Sequence, residues 1–388
     1  PQEAVHHVIH PVDTVLPPKP VVSELPTVLV VFPFLAVGGA ERVALDMINY
    51  LKDRIRFVVI TVEPYDMKLG TCVDAFREIT PFVYTAPDYL SSPLNFSFFV
   101  HLIERFQPHT LYIANGTAWV YDALAQLKVN YPQLRIANQV YDYELGWISR
   151  YDARLANTID AHIGSNQKIC EAFSKRGVAQ SKIYHIVNGV DEAMSDPENY
   201  TEERITELKN KFGLPRDKKI VSFLARLHPQ KRPMDFVELA RQFSADPSLT
   251  FFMVGDGVLA NVVDAEIKKI GLKNIVRHSF YQPAEDLYAV SDVLVLPSEY
   301  EGMPMVVMHM QAMGKPVVVT DVGNNREFLE KTGGGIVVSE IGNVGALRSG
   351  LQQVLNQPPD PTRLRQTMLA HFGVSRMAEK YRQALLGN

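Results

Sequence analysis

The sequence predicts an α/β protein that contains two doubly wound parallel sheets. Three observations lead to this prediction. The chain has 388 residues, enough for two domains of about 150 residues each. Its apolar segments alternate between short buried strands and amphipathic helices, an order that gives a parallel sheet with helices on both faces. The alternation runs through the chain twice, and a charged segment at residues 192–217 separates the two runs.

The first run begins at Thr27, where the apolar segment VLVVFPF is typical of a strand buried on both faces. A glycine turn at residues 38–39 follows, and apolar residues at helical spacing then predict a helix at about residues 40–51. The same cycle continues to about Asp191. Further strands are predicted at residues 56–63, 109–115, 135–142, 161–166 and 182–189, and further helices at residues 119–129 and 167–177.

The second run starts at Lys219, after the charged segment, and repeats the same alternation. Its strands are predicted at residues 219–226, 249–257, 274–280, 293–298, 316–321 and 334–339. Its helices are predicted at residues 232–243, 259–271, 284–291, 304–314 and 325–333. Two more helices, at residues 344–356 and 374–386, are predicted for the tail.

These patterns divide the chain into five parts. Residues 1–26 contain six prolines and no amphipathic period, which predicts a proline-rich arm or linker. We expect a first sheet domain at residues 27–191 and a linker or crossover helix at residues 192–217. A second sheet domain is expected at residues 218–368, and a final helical segment at residues 369–388.

Composition and charge exclude several classes of protein. The net charge of -4 argues against a nucleic-acid partner, which usually requires a basic surface. No apolar run approaches the ~20 residues that cross a bilayer. The two cysteines, Cys72 and Cys170, have no metal-ligand spacing and cannot form a disulfide framework, so a reduced, cytoplasmic context is expected. The chain begins at Pro1, which predicts a processed N-terminus or a longer multidomain protein.

Basic residues follow the predicted strand at residues 219–226. Arg226 ends this strand, and Lys231 comes five residues later, just before a predicted helix. Ligands of open parallel sheets bind at the carboxyl ends of strands, so we expect both cations at the mouth of a cleft rather than in a core. A guanidinium and an ammonium group in this position suit an anion, above all a diphosphate.

A second candidate segment covers residues 297–327. A predicted strand ends at Ser298, and a loop with Glu301 and Gly302 leads into a helix. The start of a helix suits a phosphate, because it offers free N–H groups and a positive dipole end. Glu301 can accept hydrogen bonds from sugar hydroxyls, and His309 lies about one turn into the helix. The segment therefore predicts a site for a phosphorylated sugar.

Several motifs, in their order along the chain, resemble one family. The segments ARLHPQK (225–231) and EGMPMVVMHMQAMGKPVV (301–318) are similar to retaining glycosyltransferases of GT-B fold, which include sucrose and glycogen synthases. The resemblance covers nearly the whole chain from about residue 27. It implies two Rossmann-like domains that face each other across a cleft, with a C-terminal helix that crosses back to the first domain. Supporting motifs are GGAERV (38–43), SNQ (165–167), VNGVD (187–191) and VGDG (254–257).

The resemblance implies a role for each matching residue. Arg226 and Lys231 correspond to the basic pair that binds the donor diphosphate and stabilises it as a leaving group. Glu301 corresponds to the first carboxylate of an E-x7-E motif, which holds hydroxyls of the donor sugar. These three are the implied catalytic residues. The other residues implied to bind the donor are Gly38, Gly39, Gly255, Tyr281, Gly302, Met303, Met305, Val306 and His309.

Three positions depart from the family pattern. His309 replaces the second carboxylate of E-x7-E, which grips the ribose; an imidazole accepts one hydrogen bond and donates another, so we expect it to bind one hydroxyl. Tyr141, followed by Asp142, stands where many members carry a histidine that faces the donor sugar, so both are candidates for sugar contacts. Phe280 replaces a glycine that is usual beside the nucleotide base.

These roles imply a retaining glycosyltransferase that moves a hexose from a nucleotide-diphosphate sugar, most often UDP-linked, to a glycan, a lipid-linked sugar or another hydroxyl acceptor. No D-x-D pair follows a strand, and two cations with a helix N-terminus can stabilise the leaving phosphate. We therefore expect no metal and no cofactor. A cytoplasmic location is expected, and a peripheral contact with the inner face of the membrane stays open.

Two other classes also stay open. One is another enzyme of the same fold, a glycosidic phosphorylase or a sugar-nucleotide epimerase. The other is a nucleotide-sugar-binding module of a longer protein with weakened catalysis, which His309 and Tyr141 favour. The presence of Arg226, Lys231 and Glu301 together argues against this last class, because an inactive site does not need all three.

Overall fold

The computed structural model of the chain forms two compact units. Unit 1 extends to Ile186 and includes the chain again from Ala378, and unit 2 extends from Val187 to Met377. The first division precedes the predicted boundary at Asp191, and the second falls within the last helix. The structure describes residues 20–65, 70–88, 95–141, 148 and 151–387. Residues 1–19 of the predicted arm (residues 1–26) lie outside the described residues.

Unit 1 contains one parallel sheet. Its strands are β1 (Thr27–Phe32), β2 (Arg56–Thr61), β3 (Val83–Thr85), β4 (Thr110–Ile113), β5 (Arg135–Val140), β6 (Ala161–Gly164) and β7 (Ile183–His185). Their order across the sheet is β3-β2-β1-β4-β5-β6-β7. Every residue of β1 is buried, as its continuous apolar run predicts for a strand that is covered on both faces.

Helices connect these strands. In the described part of unit 1 they are α1 (Gly39–Leu51), α2 (Val73–Ile79), α3 (Asn95–Phe106), α4 (Ala118–Asn130), α5 (Ala153–Thr158) and α6 (Gln167–Lys175). The sequence predicts α1, α4 and α6 but misses α2, α3, α5 and strand β3. Most of these missed elements span seven residues or fewer, too short to show a clear period.

Unit 2 contains a second parallel sheet, as predicted. Its strands are β8 (Lys219–Leu224), β9 (Leu249–Val254), β10 (Ile275–His278), β11 (Val293–Leu296), β12 (Val317–Thr320) and β13 (Gly335–Val338). Their order across the sheet is β10-β9-β8-β11-β12-β13. The core of this unit includes fully buried residues of β8, β9 and β11, among them Phe223, Phe251 and Leu294.

Most helices of unit 2 begin and end close to their predicted bounds; α7 is shorter than the segment 192–217 in which it was expected, and α14 was not predicted. The helices are α7 (Glu202–Lys211), α8 (Pro233–Gln242), α9 (Ala260–Ile270), α10 (Ala284–Val290), α11 (Met305–Ala312), α12 (Asn325–Thr332), α13 (Val344–Asn356) and α14 (Pro361–Phe372). None of the helices in the described ranges has the length and apolar character needed to cross a membrane.

The last helix, α15 (Val374–Leu386), begins in unit 2 and ends in unit 1. Its second half is bound to the sheet of unit 1. The Tyr381 hydroxyl donates to Oε1 of Gln139 at 2.7 Å, and Oγ1 of Thr110 donates to the carbonyl of Leu385 at 2.5 Å. Tyr381 is almost completely buried, so this helix completes the core of unit 1.

Each sheet reverses its strand order beside its first strand. In unit 1, β2 lies on one side of β1 and β4 lies on the other. In unit 2, β9 lies on one side of β8 and β11 lies on the other. Ligands of doubly wound sheets bind outside the carboxyl ends of the strands at such a switch point. The loops that follow β1, β4, β8 and β11 are therefore the places where a site is expected.

Candidate functional site

The switch point of unit 2 carries three of the predicted residues. Arg226 follows β8 by two residues and is exposed, and Lys231 ends a short 3₁₀ turn at Pro229–Lys231 in the same loop. Glu301 lies in the loop that follows the neighbouring strand, β11. Within the described part of the chain, the Arg226 guanidinium forms no hydrogen bond or ion pair. It is therefore free to bind an anion.

Lys231 and Glu301 form an ion pair. Nζ of Lys231 lies 2.5 Å from Oε1 of Glu301, and Oγ of Ser298 donates to the same oxygen at 2.6 Å. The side chains of Lys231 and Glu301 are only 14% and 6% exposed. Lys231 is therefore partly buried in the loops at the end of the sheet, and its predicted place at the mouth of a cleft stays a prediction. The loop after β8 folds its lysine inward because Glu301 offers a partner for the charge.

Hydrogen bonds to backbone carbonyls hold the two loops together. The N–H of Glu299 donates to the carbonyl of Gln230 at 2.7 Å, and Nε2 of Gln230 donates to the carbonyl of Tyr300 at 3.0 Å. Oγ1 of Thr320 donates to the carbonyl of Ser298 at 2.5 Å, which fixes the start of the second loop. The two loops that carry the ion pair are thus joined to each other and to β12.

Gly255 lies just after β9, and its conformation requires glycine. Its φ is +146°, and a Cβ atom at this position would overlap the carbonyl oxygen of Ala225, the residue before Arg226. The next residue also joins the loops, because the N–H of Leu227 donates to the carbonyl of Asp256 at 2.8 Å. Gly255 therefore allows the loop after β9 to pack against the loop that carries Arg226. Its predicted contact with the nucleotide stays a prediction.

Helix α11 begins directly after this site. Pro304 is its N-cap residue, and no side chain caps the helix. The first N–H groups of a helix have no partner within it, so those of Met305 and Val306 are available to an anion. Gly302 accepts a hydrogen bond from the N–H of Asn324 at 3.0 Å, and Met303 is 6% exposed. The predicted contacts of these residues with a donor stay predictions.

His309 lies inside the protein, on α11. It is 4% exposed, its Nδ1 is 2.6 Å from Oγ of Ser195, and its ring stacks on Tyr288 with centroids 5.4 Å apart. The sequence predicts a ribose contact for His309 but gives no sign of Ser195, which lies 114 residues away along the chain. The imidazole therefore binds one protein hydroxyl, and its ribose contact stays a prediction.

Tyr281 is held by its neighbours in unit 2. Its hydroxyl donates to Oδ2 of Asp286 at 2.7 Å and accepts from Nζ of Lys211 at 3.0 Å. Its ring packs edge to face on Phe212, with centroids 4.9 Å apart. These contacts explain the tyrosine without a ligand, and its predicted place beside the nucleotide base stays a prediction.

The switch point of unit 1 carries Gly38 and Gly39, at the start of α1. Gly38 is the N-cap residue, with φ of −146°, and no side chain caps the helix. The third residue of α1, Glu41, was not predicted as a site residue. It is 5% exposed, and burial raises the pKa of its carboxyl to about 7. A signal existed, because Glu41 falls on the same helix face as the buried Ala44 and Ile48.

Tyr141 lies after β5 and reaches the same turn of unit 1. Its hydroxyl donates to the carbonyl of Ala40 at 3.4 Å, and burial raises its pKa well above the usual value. Tyr112 and Tyr381 lie close enough to influence this pKa. The predicted sugar contact of Tyr141 stays a prediction, and its neighbour Asp142 lies outside the described residues.

Among the described residues, no group of three or more histidine, cysteine, aspartate or glutamate side chains could hold a metal ion. The two cysteines are not joined: Cys170 is buried and Cys72 is partly buried. The prediction of a metal-independent reaction stays a prediction.

Solved structures of similar fold identify the architecture of the chain. A glycosyltransferase structure from Rickettsia africae ESF-5 matches 94% of this chain and 100% of its own, with a TM-score of 0.79 and 20% identity. The structure of Anabaena Alr3699/HepE in complex with UDP-glucose matches 93% of this chain and 100% of its own, with a TM-score of 0.74 and 18% identity. The chain therefore has the GT-B fold, as its motifs predicted.

Two family models match successive parts of the chain. The model described as glycosyltransferase family 4 matches residues 37–193. The model described as glycosyl transferases group 1 matches residues 204–368, which include Arg226, Lys231 and Glu301. Both models describe glycosyltransferases, and residues 204–368 belong to the group 1 family.

A curated relative is the UDP-Gal:alpha-D-GlcNAc-diphosphoundecaprenol alpha-1,3-galactosyltransferase of Escherichia coli. It is 28% identical over 223 residues, which cover 54% of this chain and 54% of the relative. The chain thus spans about half the length of the curated relatives it matches.

Proposed function

We propose that the chain is a retaining glycosyltransferase that moves a hexose from a UDP-sugar to a hydroxyl of a glycan or a lipid-linked sugar, without a metal or cofactor. The observation that carries the proposal is the ion pair of Lys231 and Glu301 beside the exposed Arg226. Two similar proteins support the donor class: HepE is in complex with UDP-glucose, and the name of the Escherichia coli relative contains UDP-Gal.

Arg226 and Lys231 would bind the diphosphate of the donor. The guanidinium of Arg226 presents five N–H groups, and it is exposed. Nζ of Lys231 has three N–H groups, of which one donates to Glu301, so the others can donate to phosphate oxygens. Positive groups placed in advance stabilise the charge that develops on the leaving diphosphate.

Glu301 would hold the donor sugar. Its Oε1 accepts hydrogen bonds from Lys231 and Ser298, which fix the orientation of the carboxylate. Oε2 has no hydrogen-bond partner in the part of the chain that the structure describes, so it can accept from sugar hydroxyls. The sugar and the diphosphate would then lie on adjacent groups that are already joined.

The start of α11 adds further donors for the same ligand. The N–H groups of Met303, Met305 and Val306 would contact phosphate or sugar oxygens, beside the backbone of Gly302. His309, further along the same helix, would contact one ribose hydroxyl. The other proposed donor contacts are those of Gly38, Gly39, Gly255 and Tyr281.

The reaction exchanges one bond of the anomeric carbon for another. The bond to the diphosphate oxygen breaks, and the bond to the acceptor oxygen forms on the same face of the sugar. The acceptor hydroxyl gives its proton to the departing phosphate oxygen. Arg226 and Lys231 would stabilise the leaving group throughout, so no protein nucleophile is required.

The test measures transfer from UDP-glucose and UDP-galactose to a panel of glycan and diphospholipid-linked acceptors, with EDTA present. We expect a product with the anomeric configuration of the donor. Arg226→Ala should lower turnover about 10²–10³-fold, the usual cost of one such interaction. Arg241→Ala is the matched control, since Arg241 is 55% exposed and paired with Glu238 on the surface of α8.

Five results would contradict the proposal. Equal turnover for Arg226→Ala and Arg241→Ala would remove the diphosphate assignment. An inverted product would exclude the retaining mechanism, and loss of activity in EDTA would exclude metal independence. Reaction with inorganic phosphate in place of the acceptor would identify a phosphorylase, and conversion of the donor alone would identify an epimerase.

A further inference from the structure

Among the phenylalanine, tyrosine and tryptophan residues in the described part of unit 2, only Phe280 is exposed. It is 56% exposed, whereas Phe223, Phe251 and Phe328 are almost fully buried. Aromatic side chains contribute most when covered, because each can bury a large apolar area. Phe280 follows β10 by two residues, at the same edge of the sheet as the candidate site.

The backbone of Phe280 is fixed to the neighbouring loops. Its N–H donates to Oδ2 of Asp256 at 2.8 Å, and Oδ1 of Asp256 lies 3.6 Å from the guanidinium of Arg277. The carbonyl of Asp256 accepts from the N–H of Leu227, the residue after Arg226. Phe280 therefore has a set position relative to the loop that carries Arg226.

The strand order gives a direction to a ligand at this edge. Glu301 follows β11, Arg226 follows β8, Gly255 follows β9 and Phe280 follows β10, and these strands are consecutive neighbours in the sheet. A ligand with its sugar at Glu301 and its diphosphate at Arg226 must extend its other end towards β10. Two strand spacings, about 10 Å, separate β8 from β10. A ribose and a base extend over such a distance.

We propose that the ring of Phe280 stacks on the base of the donor nucleotide. A ring on a fixed backbone offers one flat apolar face and no hydrogen-bond donor, so it adds affinity for any base instead of selecting uracil. The inference rests on the proposed function, because it requires a nucleotide at the candidate site. It adds a binding residue in the loop after β10 to those in the loops after β8 and β11.

The experiment compares two probes by calorimetry: UDP, which contains the base, and inorganic pyrophosphate, which lacks it. Stacking on one base contributes ~1–3 kcal/mol, so Phe280→Ala should weaken UDP binding at least about fivefold and leave pyrophosphate binding unchanged. Phe280→Trp should retain UDP affinity. Val258→Ala is the control, because Val258 is 76% exposed in the adjacent loop and has no aromatic ring.

Each outcome decides the inference. Equal UDP affinity for Phe280→Ala and the unchanged chain contradicts it, and so does an equal loss for both probes, which would show that the variant disturbs the loop. If Phe280→Ala weakens the binding of ADP as much as that of UDP, the result supports stacking that does not depend on the identity of the base. If the unchanged chain binds no nucleotide, the proposed function fails, and the inference fails with it.

Discussion

The two switch points of the molecule each carry a nearly buried glutamate, but the two carboxyl groups have different surroundings. Glu41 follows β1 in unit 1, and Glu301 follows β11 in unit 2. Glu301 accepts from Lys231 and Ser298. Glu41 makes no ion pair with any residue that the structure describes, and its Oε2 occupies the space that a Cβ atom at Gly38 would need.

The two buried carboxyl groups differ because only one of them has a cation beside it. Without a cation, the cheaper state of a buried carboxyl is the protonated one, which explains why the pKa of Glu41 rises to about 7. Glu301 has a lysine within 2.5 Å, and that lysine belongs to the loop with the exposed Arg226. The glutamate at one switch point thus lacks a cation and holds its proton more tightly, whereas the glutamate at the other is paired with a lysine.

The largest expected effect concerns the paired carboxylate. Lys231→Ala leaves Glu301 buried without its cation, which should lower the free energy of unfolding by about 3–5 kcal/mol. Urea denaturation at neutral pH measures the change. Adding Glu301→Gln to this variant should recover part of the loss, because no buried charge then remains.

Lys219→Ala is the control for this prediction. Lys219 pairs with Asp292, but its side chain is 66% exposed, so its removal should change stability by less than about 1 kcal/mol. Equal changes for Lys231→Ala and Lys219→Ala would show that the Glu301 pair is no stronger than a surface ion pair.

A substitution at Glu41, which has no cation, should change stability in the opposite direction. Since the folded state raises the pKa of Glu41 from 4.5 to about 7, the folded state holds the proton more tightly, and stability falls as pH rises from about 4.5 to about 7. Glu41→Gln removes this penalty. We expect it to raise the free energy of unfolding by about 3 kcal/mol at pH 8 and to change it little at pH 4.

Denaturation at several pH values checks this expectation, with Glu327→Gln as the control. Glu327 is 45% exposed and pairs with Lys331 on α12, so its variant should show no such gain at pH 8. A Glu41→Gln chain with the pH dependence of the unchanged chain would mean that Glu41 ionises normally.

The smallest expected effect concerns His309, which lies on the helix that Glu301 precedes. Ser195→Ala removes its hydrogen bond to Nδ1 and should lower stability by about 1 kcal/mol. UDP affinity provides the second measurement. If the ring binds the ribose, loss of Ser195 should also weaken UDP binding; an unchanged affinity would show that His309 only packs.

The sequence predicts the repeated strand and helix cycle because continuous apolar runs and helical spacing are local properties. It also places Arg226, Lys231 and Glu301 after strands, which brings them to one edge of a sheet. It does not predict that Lys231 is folded onto Glu301, because the pairing depends on how two loops 70 residues apart meet. The partner of His309 escapes prediction for the same reason.

Exposure is the other property that the sequence predicts poorly. Phe280 is exposed although aromatic residues are usually buried, and Glu41 is buried although acidic residues are usually exposed. Average preferences place each of them wrongly, and only the surrounding loops decide their burial. Residues that break such rules are often functional, which is why these two carry an inference and a prediction.

The last helix has a consequence for the order in which the molecule is made. Unit 2 is one continuous stretch, whereas unit 1 needs Tyr381 and Leu385, which follow the whole of unit 2 in the chain. A ribosome therefore releases all of unit 2 before unit 1 can close its core around α15. Synthesis usually lets the N-terminal domain fold first. Of the two units, unit 1 therefore begins first but completes its core last, once α15 has been made.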